Sequence, residues 1–222
     1  MGDPIAAGLA AVDSGHAMIK SIMGSVDQKM KIGCTIVNNT NFTLKKLSGS
    51  GSLHHGKTYQ APAAIIGPLD MDSVEKGAFL NHSEWAIRTS GAHCSEGIVV
   101  YSCQELNAYF CFYLKHGHNF EAGCFVIDEH TWKDESDSFE KSMKHNKHWK
   151  YPQKNRTGEK VIHYIQKFKP KGKRNKPFGK YCTKDTSGEV SFEGNSNKIF
   201  VRFQAAESVE FNITQKDFTE PA

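Results

Sequence analysis

The sequence has no long apolar run, no short cysteine motif and no recognisable catalytic set. No stretch approaches the roughly 18–20 consecutive apolar residues of a conventional membrane-spanning helix. None of the cysteines shows the C-x-x-C spacing of zinc and redox sites. There is no nucleophile elbow, no H-E-x-x-H and no glycine loop that would hold a phosphate. We therefore predict a protein that is not an enzyme and that uses neither a cofactor nor a metal.

A secretory signal is also missing from the sequence. The N-terminus has no basic region followed by a dense apolar stretch. Two expectations are compatible with this: a secreted protein that has already been processed and acts at a target cell membrane, or a soluble cytosolic protein.

Residues 4–27 are the only segment with a strong helical pattern. Pro4 follows Asp3, a suitable N-cap, and three glycines at 8, 15 and 24 weaken the predicted helix. About 24 residues at 1.5 Å each give roughly 36 Å, close to the hydrocarbon thickness of a bilayer. The segment is thus either a membrane-inserting helix or an amphipathic helix that packs on a core. Its stripe, with spacings of 4 and 3, consists of Ile5, Leu9, Val12, His16, Ile19, Met23 and Val26.

From residue 30 onward the pattern changes to short strands separated by Gly, Pro, Asn and Ser, which predicts a mainly β protein with a β-sandwich. Residues 108–114 are apolar at every position, which indicates a strand covered on both faces. A second, short helix is predicted within residues 134–146. The predicted organisation is a helix over 1–29, a sandwich over 30–214 and a polar tail over 215–222. The predicted strands are 32–36, 42–47, 78–80, 97–103, 108–114, 124–127, 161–168, 189–192, 198–204 and 208–214, with a turn at Asn38 and Asn39.

Charge is concentrated in one part of the chain. Residues 141–180 contain fourteen Lys or Arg and one acid, Glu159, whereas residues 128–140 contain six acids. A basic field of this kind suits anionic lipid headgroups or nucleic acid, and it is also compatible with a solvated flank. We expect no nucleic-acid partner.

The six cysteines and the histidine groups allow alternative interpretations. Several cysteines fall in apolar runs, which is typical of buried thiols, but disulfides are equally compatible with the sequence. His116, His118, His145 and His148 have no acidic or cysteine partner at a defined spacing, so a polar loop is favoured over a metal site.

Several segments, in order along the chain, resemble the actinoporins. Residues 31–39 look like the segment that leads from the actinoporin N-terminal helix into the first strand, and residues 74–80 look like a later strand of that family. Residues 97–101 match a Gly-Val-Leu-Ala-Tyr strand, and 108–126 fall where the family carries its aromatic signature. In that last segment Phe112, Asn119, Phe120 and Phe125 keep the aromatic or polar character.

The resemblance implies a protein that binds sphingomyelin, forms a homo-oligomer on the membrane and inserts its N-terminal helix. The choline-binding positions of the family differ here: they are occupied by Tyr113, Lys115 and Glu121, and Cys124 stands in place of a tryptophan. The aromatic cage that recognises choline is therefore incomplete, and anionic lipid becomes an alternative partner.

The predicted membrane-inserting residues are Ile5, Leu9, Val12, Ile19, Met23 and Val26. The predicted headgroup and interface residues are Tyr113, Lys115, His116, His118, Phe120, Glu121, Trp149 and Tyr151, with Trp132 as a further exposed aromatic. Each of these aromatics could instead be half-buried in the sandwich.

The predicted function is that of a pore-forming cytolysin that makes a cation-permeable pore. The alternative is a lectin-like module on the same fold that binds glycans or lipid headgroups without forming pores.

Overall fold

The computed structural model describes residues 31–47, 52–69, 80–89, 94–130, 179–183 and 186–216. These residues form thirteen strands in two sheets. In chain order the strands are β1 Lys31–Asn39, β2 Leu44–Lys46, β3 Ser52–His55, β4 Lys57–Gln60, β5 Ile65–Ile66, β6 His82–Arg88, β7 Ser95–Cys103, β8 Ala108–His116, β9 Phe120–Asp128, β10 Gly179–Thr183, β11 Ser187–Gly194, β12 Asn197–Gln204 and β13 Ser208–Lys216.

One sheet has six strands in the order β11-β12-β13-β1-β6-β4. The other has seven, in the order β10-β9-β8-β7-β2-β5, with β3 also paired to β7. Neighbouring strands are antiparallel except for β1 and β13, which run parallel. The prediction of a mainly β protein with a sandwich is thereby confirmed.

The core lies between the two sheets and is rich in aromatic rings. The Phe112 ring of β8 lies 5.0 Å from that of Phe211 of β13, so these two rings join one sheet to the other. Tyr101 meets Phe112 edge to face at 6.2 Å between ring centroids. Burial of aromatic side chains is the largest apolar contribution to stability that a core of this size offers.

The seven-stranded sheet is buried on both faces. Alternate residues of β7 and β8 that point away from the six-stranded sheet form a second apolar cluster, which includes Ile98, Val100, Cys111 and Tyr113, all fully buried. The prediction that 108–114 is covered on both sides is therefore confirmed.

Most predicted strands that lie in the described residues are present, usually extended by one to four residues. The predicted Asn38-Asn39 turn is wrong, because both residues belong to β1. The Asn38 side chain instead holds the turn that follows: its Nδ2 donates to the carbonyl oxygens of Phe42 and Gly67, each at 2.7 Å. β13 continues through Gln215 and Lys216, two residues that sequence analysis assigned to the polar tail.

Several predictions fall outside the described residues. They are the helix over 4–27, the short helix within 134–146 and the strand over 161–168, together with most of the strand predicted at 78–80. In the part of the chain that the structure describes, no helix has the length and apolar character needed to cross a membrane.

All six cysteines lie among the described residues and remain thiols, so the disulfide alternative is not adopted. Five are buried and Cys94 is half-buried. Burial raises the pKa of the Cys103 thiol to about 12, and it also raises the pKa of the Cys34, Cys111 and Cys124 thiols far above their usual value. These cysteines act as small apolar core residues.

Candidate functional site

The sheet topology brings the β8–β9 turn next to the start of β1. His116 ends β8, Phe120 begins β9, and the two residues pair directly across the turn at 117–119. The Nδ1 atom of His116 lies 2.8 Å from the carbonyl oxygen of Lys31, the first residue of β1. This contact fixes the turn beside the point where residues 1–30 join the sandwich. We call this end of the molecule the turn end.

The turn end exposes two polar residues, His118 and Asn119, and part of an aromatic ring, that of Phe120. Phe120 is half-buried and packs against the core, with its ring 4.3 Å from the His116 ring. His118 and Asn119 are exposed at the tip of the turn. The core and the His116 ring therefore hold the Phe120 ring partly exposed at the surface. Its contact with lipid stays a prediction.

Lys115 and Glu121 pair with each other across β8 and β9. The Lys115 Nζ atom lies 3.2 Å from Glu121 Oε1, and both side chains are about four-fifths buried, at 23% and 19% exposure. An unpaired Lys115 would repel a quaternary ammonium group, and an unpaired Glu121 would attract it. Because the two charges offset each other, neither acts on a ligand as an isolated charge.

Tyr113 is fully buried, which contradicts its predicted exposure. Its hydroxyl donates to the Glu96 carboxylate at 2.5 Å, and Glu96 is itself 5% exposed. Burial, with the nearby Glu96 charge, raises the pKa of the Tyr113 hydroxyl far above its usual value. The reason is the register of β8: it places Tyr113 on the covered outer face of the seven-stranded sheet. In this conformation the Tyr113 ring cannot contact a headgroup.

The other predicted interface residues, Trp132, Trp149 and Tyr151, lie outside the described residues. So do the predicted inserting residues of the helix, and His145 and His148. Among the residues that the structure places, no three His, Cys, Asp or Glu side chains converge in a way that could hold a metal ion.

Sequence reasoning missed a set of cations at the turn end. Lys31 of β1 pairs in register with Arg88 of β6, and Arg88 pairs with Lys57 of β4. These residues are far apart in the sequence, and only the strand pairing brings them together.

The opposite end of the sandwich carries a polar cleft of about 370 Å³. Its Tyr109 ring is half-buried, and burial together with the Glu129 carboxylate raises the pKa of the Tyr109 hydroxyl. The cleft is lined by hydroxyl, amide, carboxylate and amine groups from Thr43, Lys45, Ser102, Gln104, Glu105, Asn107, Tyr109 and Glu129.

Comparison with known proteins supports the fold alone. No protein-family model matches the chain, and no curated protein sequence matches it. Among solved structures, the chain is similar to the lipid binding protein Nakanori, with a TM-score of 0.53 and 10% sequence identity. The alignment covers 95% of this chain and 86% of that one. The sandwich fold that the resemblance to actinoporins implied is thus also found in a protein described as lipid binding.

Proposed function

We propose that the turn end docks on a membrane lipid surface. The observation that carries the proposal is the half-exposed Phe120 ring, which is held by the core next to the exposed His118. A phenylalanine ring at the edge of a rigid scaffold can enter the boundary between headgroups and acyl chains, where burial of its exposed apolar surface favours docking. The fold similarity to a lipid binding protein supports the same role. The function is one of binding, without catalysis.

Docking at the turn end would bring residues 1–30 close to the membrane. β1 begins at Lys31, and the contact between Lys31 and His116 lies at this end of the molecule. We propose that the stripe of 4–27 then enters the bilayer and that several copies of the chain contribute their helices to a cation-permeable pore. The site of action on this proposal is a target cell membrane reached by a secreted protein.

The lipid partner on this proposal is not recognised by a choline cage. Such a cage needs exposed aromatic rings around the quaternary ammonium. Tyr113 is buried, and Lys115 is paired with Glu121. We therefore propose that sphingomyelin specificity is absent and that anionic lipid is preferred.

A second candidate function is glycan binding at the cleft of the opposite end. The observation that favours it is the cleft's lining, where the half-buried Tyr109 ring lies among amide, hydroxyl and carboxylate groups. A sugar presents both hydroxyls and an apolar ring face, which these groups could bind. On this alternative the protein recognises glycans and makes no pore.

Replacing Phe120 by Ala should weaken binding to lipid vesicles by up to about tenfold, because the part of the Phe120 ring that the core leaves exposed would lose its contact with the membrane. Vesicle co-sedimentation measures this loss. Phe200→Ala is the matched control, because Phe200 is also half-exposed but lies on β12, away from the turn end.

Since Phe120 also packs on the core, His118→Asp provides a second test with an exposed side chain. An acid at the tip should weaken binding to anionic vesicles and leave the melting temperature unchanged. Docking through the turn end would be contradicted if Phe120→Ala and His118→Asp both bound vesicles as the native protein does, whether or not Phe200→Ala lost binding.

A further inference from the structure

Three cations form a row across adjacent strands of the six-stranded sheet. Lys31 lies directly opposite Arg88, and Arg88 lies directly opposite Lys57. Residues that pair in this way project on the same face of a sheet. That face is the outer one, because the neighbouring inward positions, Ile32 and Ile87, belong to the core. With strands about 4.8 Å apart, the row spans roughly 10 Å.

The row is unfavourable for stability unless an anion offsets it, because like charges that lie directly opposite each other repel. Lys31 has an acid nearby, Glu207, at 3.8 Å. Among the described residues, no carboxylate forms an ion pair with Arg88 or Lys57. The guanidinium of Arg88 instead lies 5.5 Å from the centre of the Tyr59 ring, and that ring is 43% exposed.

The backbone holds Lys57 in this row. Gly56, which joins β3 to β4, has a φ of 103°. A Cβ atom at this position would lie 2.4 Å from the carbonyl oxygen of Arg88, so only glycine allows the two backbones to approach so closely. The approach places the residue after Gly56 beside Arg88. Strand pairing and the close approach at Gly56 therefore fix the position of Lys57 beside Arg88.

We propose that the row of Lys31, Arg88 and Lys57 binds the phosphate groups of anionic lipid headgroups. The guanidinium fork of Arg88 suits the oxygens of a phosphate, and the two lysines add charge on either side. The exposed Tyr59 ring beside Arg88 suits the headgroup region. The contact between His116 and Lys31 makes the row continuous with the turn end. This inference rests on the proposed lipid docking and names the residues that would select anionic lipid.

The test compares two double variants that lose the same charge. K57Q/R88Q removes two cations of the row. K198Q/K216Q removes two lysines that also lie directly opposite each other, on β12 and β13 at the opposite end of the sandwich. On phosphatidylcholine vesicles that contain a minor fraction of phosphatidic acid, K57Q/R88Q should bind about 30-fold more weakly than the native protein, given the usual contribution of a basic residue near an anionic surface. K198Q/K216Q should bind nearly as the native protein does.

Two further measurements test whether the row acts through its charge: the salt dependence of vesicle binding and the binding of Arg88→Lys. Binding of the native protein to the anionic vesicles should weaken as salt rises, and K57Q/R88Q should show a smaller salt dependence. Arg88→Lys should bind more tightly than Arg88→Gln but more weakly than the native protein, because it keeps the charge and loses the guanidinium fork. Equal losses in the two double variants would show general charge attraction and overturn the assignment, as would native binding by K57Q/R88Q.

The outcomes also separate this inference from the proposed docking. On vesicles of phosphatidylcholine alone, K57Q/R88Q should bind as the native protein does, whereas Phe120→Ala should be weakened. Phe120→Ala could lose binding to both kinds of vesicle while K57Q/R88Q binds both as the native protein does. That result would support docking through the turn end and contradict phosphate binding by the row. If the native protein binds glycerol phosphate in solution through Arg88 and Lys57 but shows no preference for anionic vesicles, the row is a small-molecule site and the lipid assignment is wrong.

Discussion

A protein that lacks residues 1–29 is expected to bind vesicles as the full chain does and to release no entrapped dye. The expected loss of dye release is complete, because the proposed pore is made by the stripe of 4–27 while docking depends on the turn end. Dye release from liposomes and co-sedimentation with the same liposomes measure the two activities separately. The melting temperature of the truncated protein shows whether the sandwich is intact.

A point substitution gives the same test without truncation. Leu9→Glu places a charge in the apolar stripe, and a charge at the bilayer centre costs about 3 kcal/mol or more. It should abolish leakage and leave binding unchanged. Leakage at the normal rate by either variant would exclude the helix as the pore-forming element and would favour the lectin-like alternative.

Replacing Phe112 by Ala should lower the free energy of unfolding by about 3–5 kcal/mol, the usual cost of truncating a fully buried phenylalanine. Phe112 has no exposed surface, and its ring contacts those of Phe211 and Tyr101. Its removal would leave a cavity where the two sheets meet. Urea denaturation followed by tryptophan fluorescence measures the change.

Phe200→Ala is the control for this stability measurement as well, since Phe200 is half-exposed and should cost about 1 kcal/mol. A loss of less than about 1 kcal/mol for Phe112→Ala would contradict the core that we describe, because truncating a buried aromatic residue rarely costs so little.

The strands that the sequence predicted best are those with a regular apolar pattern. In β12 and β13, buried residues alternate with half-buried or exposed ones, so a period of two is visible in the sequence. β6 was missed because four of its seven residues, His-Ser-Glu-Trp-Ala-Ile-Arg, are polar, and one of them, Ser83, lies on the buried face. β3, β4 and β5 were missed because strands of two to four residues carry too few positions for any pattern.

The candidate site, like the strands, could be predicted only in part from the sequence. Phe120 was selected because it keeps the aromatic character of the actinoporin signature, and only the structure places it beside the turn at 117–119. Tyr113 was placed at the interface on the family resemblance alone, whereas the continuous apolar run of 108–114 indicated a strand covered on both faces, and that second indication is the one that holds. The row of Lys31, Arg88 and Lys57 could not be predicted, because it depends on the pairing of three strands and on the close approach at Gly56.

Hydrogen exchange of the protein on vesicles tests lipid docking through the turn end most directly. The amides of the exposed turn at 117–119 should exchange rapidly in the absence of lipid, since among them only the Gly117 amide has a backbone bond, to the carbonyl oxygen of Asn119 at 3.2 Å. On anionic vesicles these amides should become protected, while the residues that line the cleft at the opposite end, 104–109, should exchange as before. Protection of 104–109 with no change at 117–119 would contradict the account, because it would place the binding surface at the other end of the sandwich.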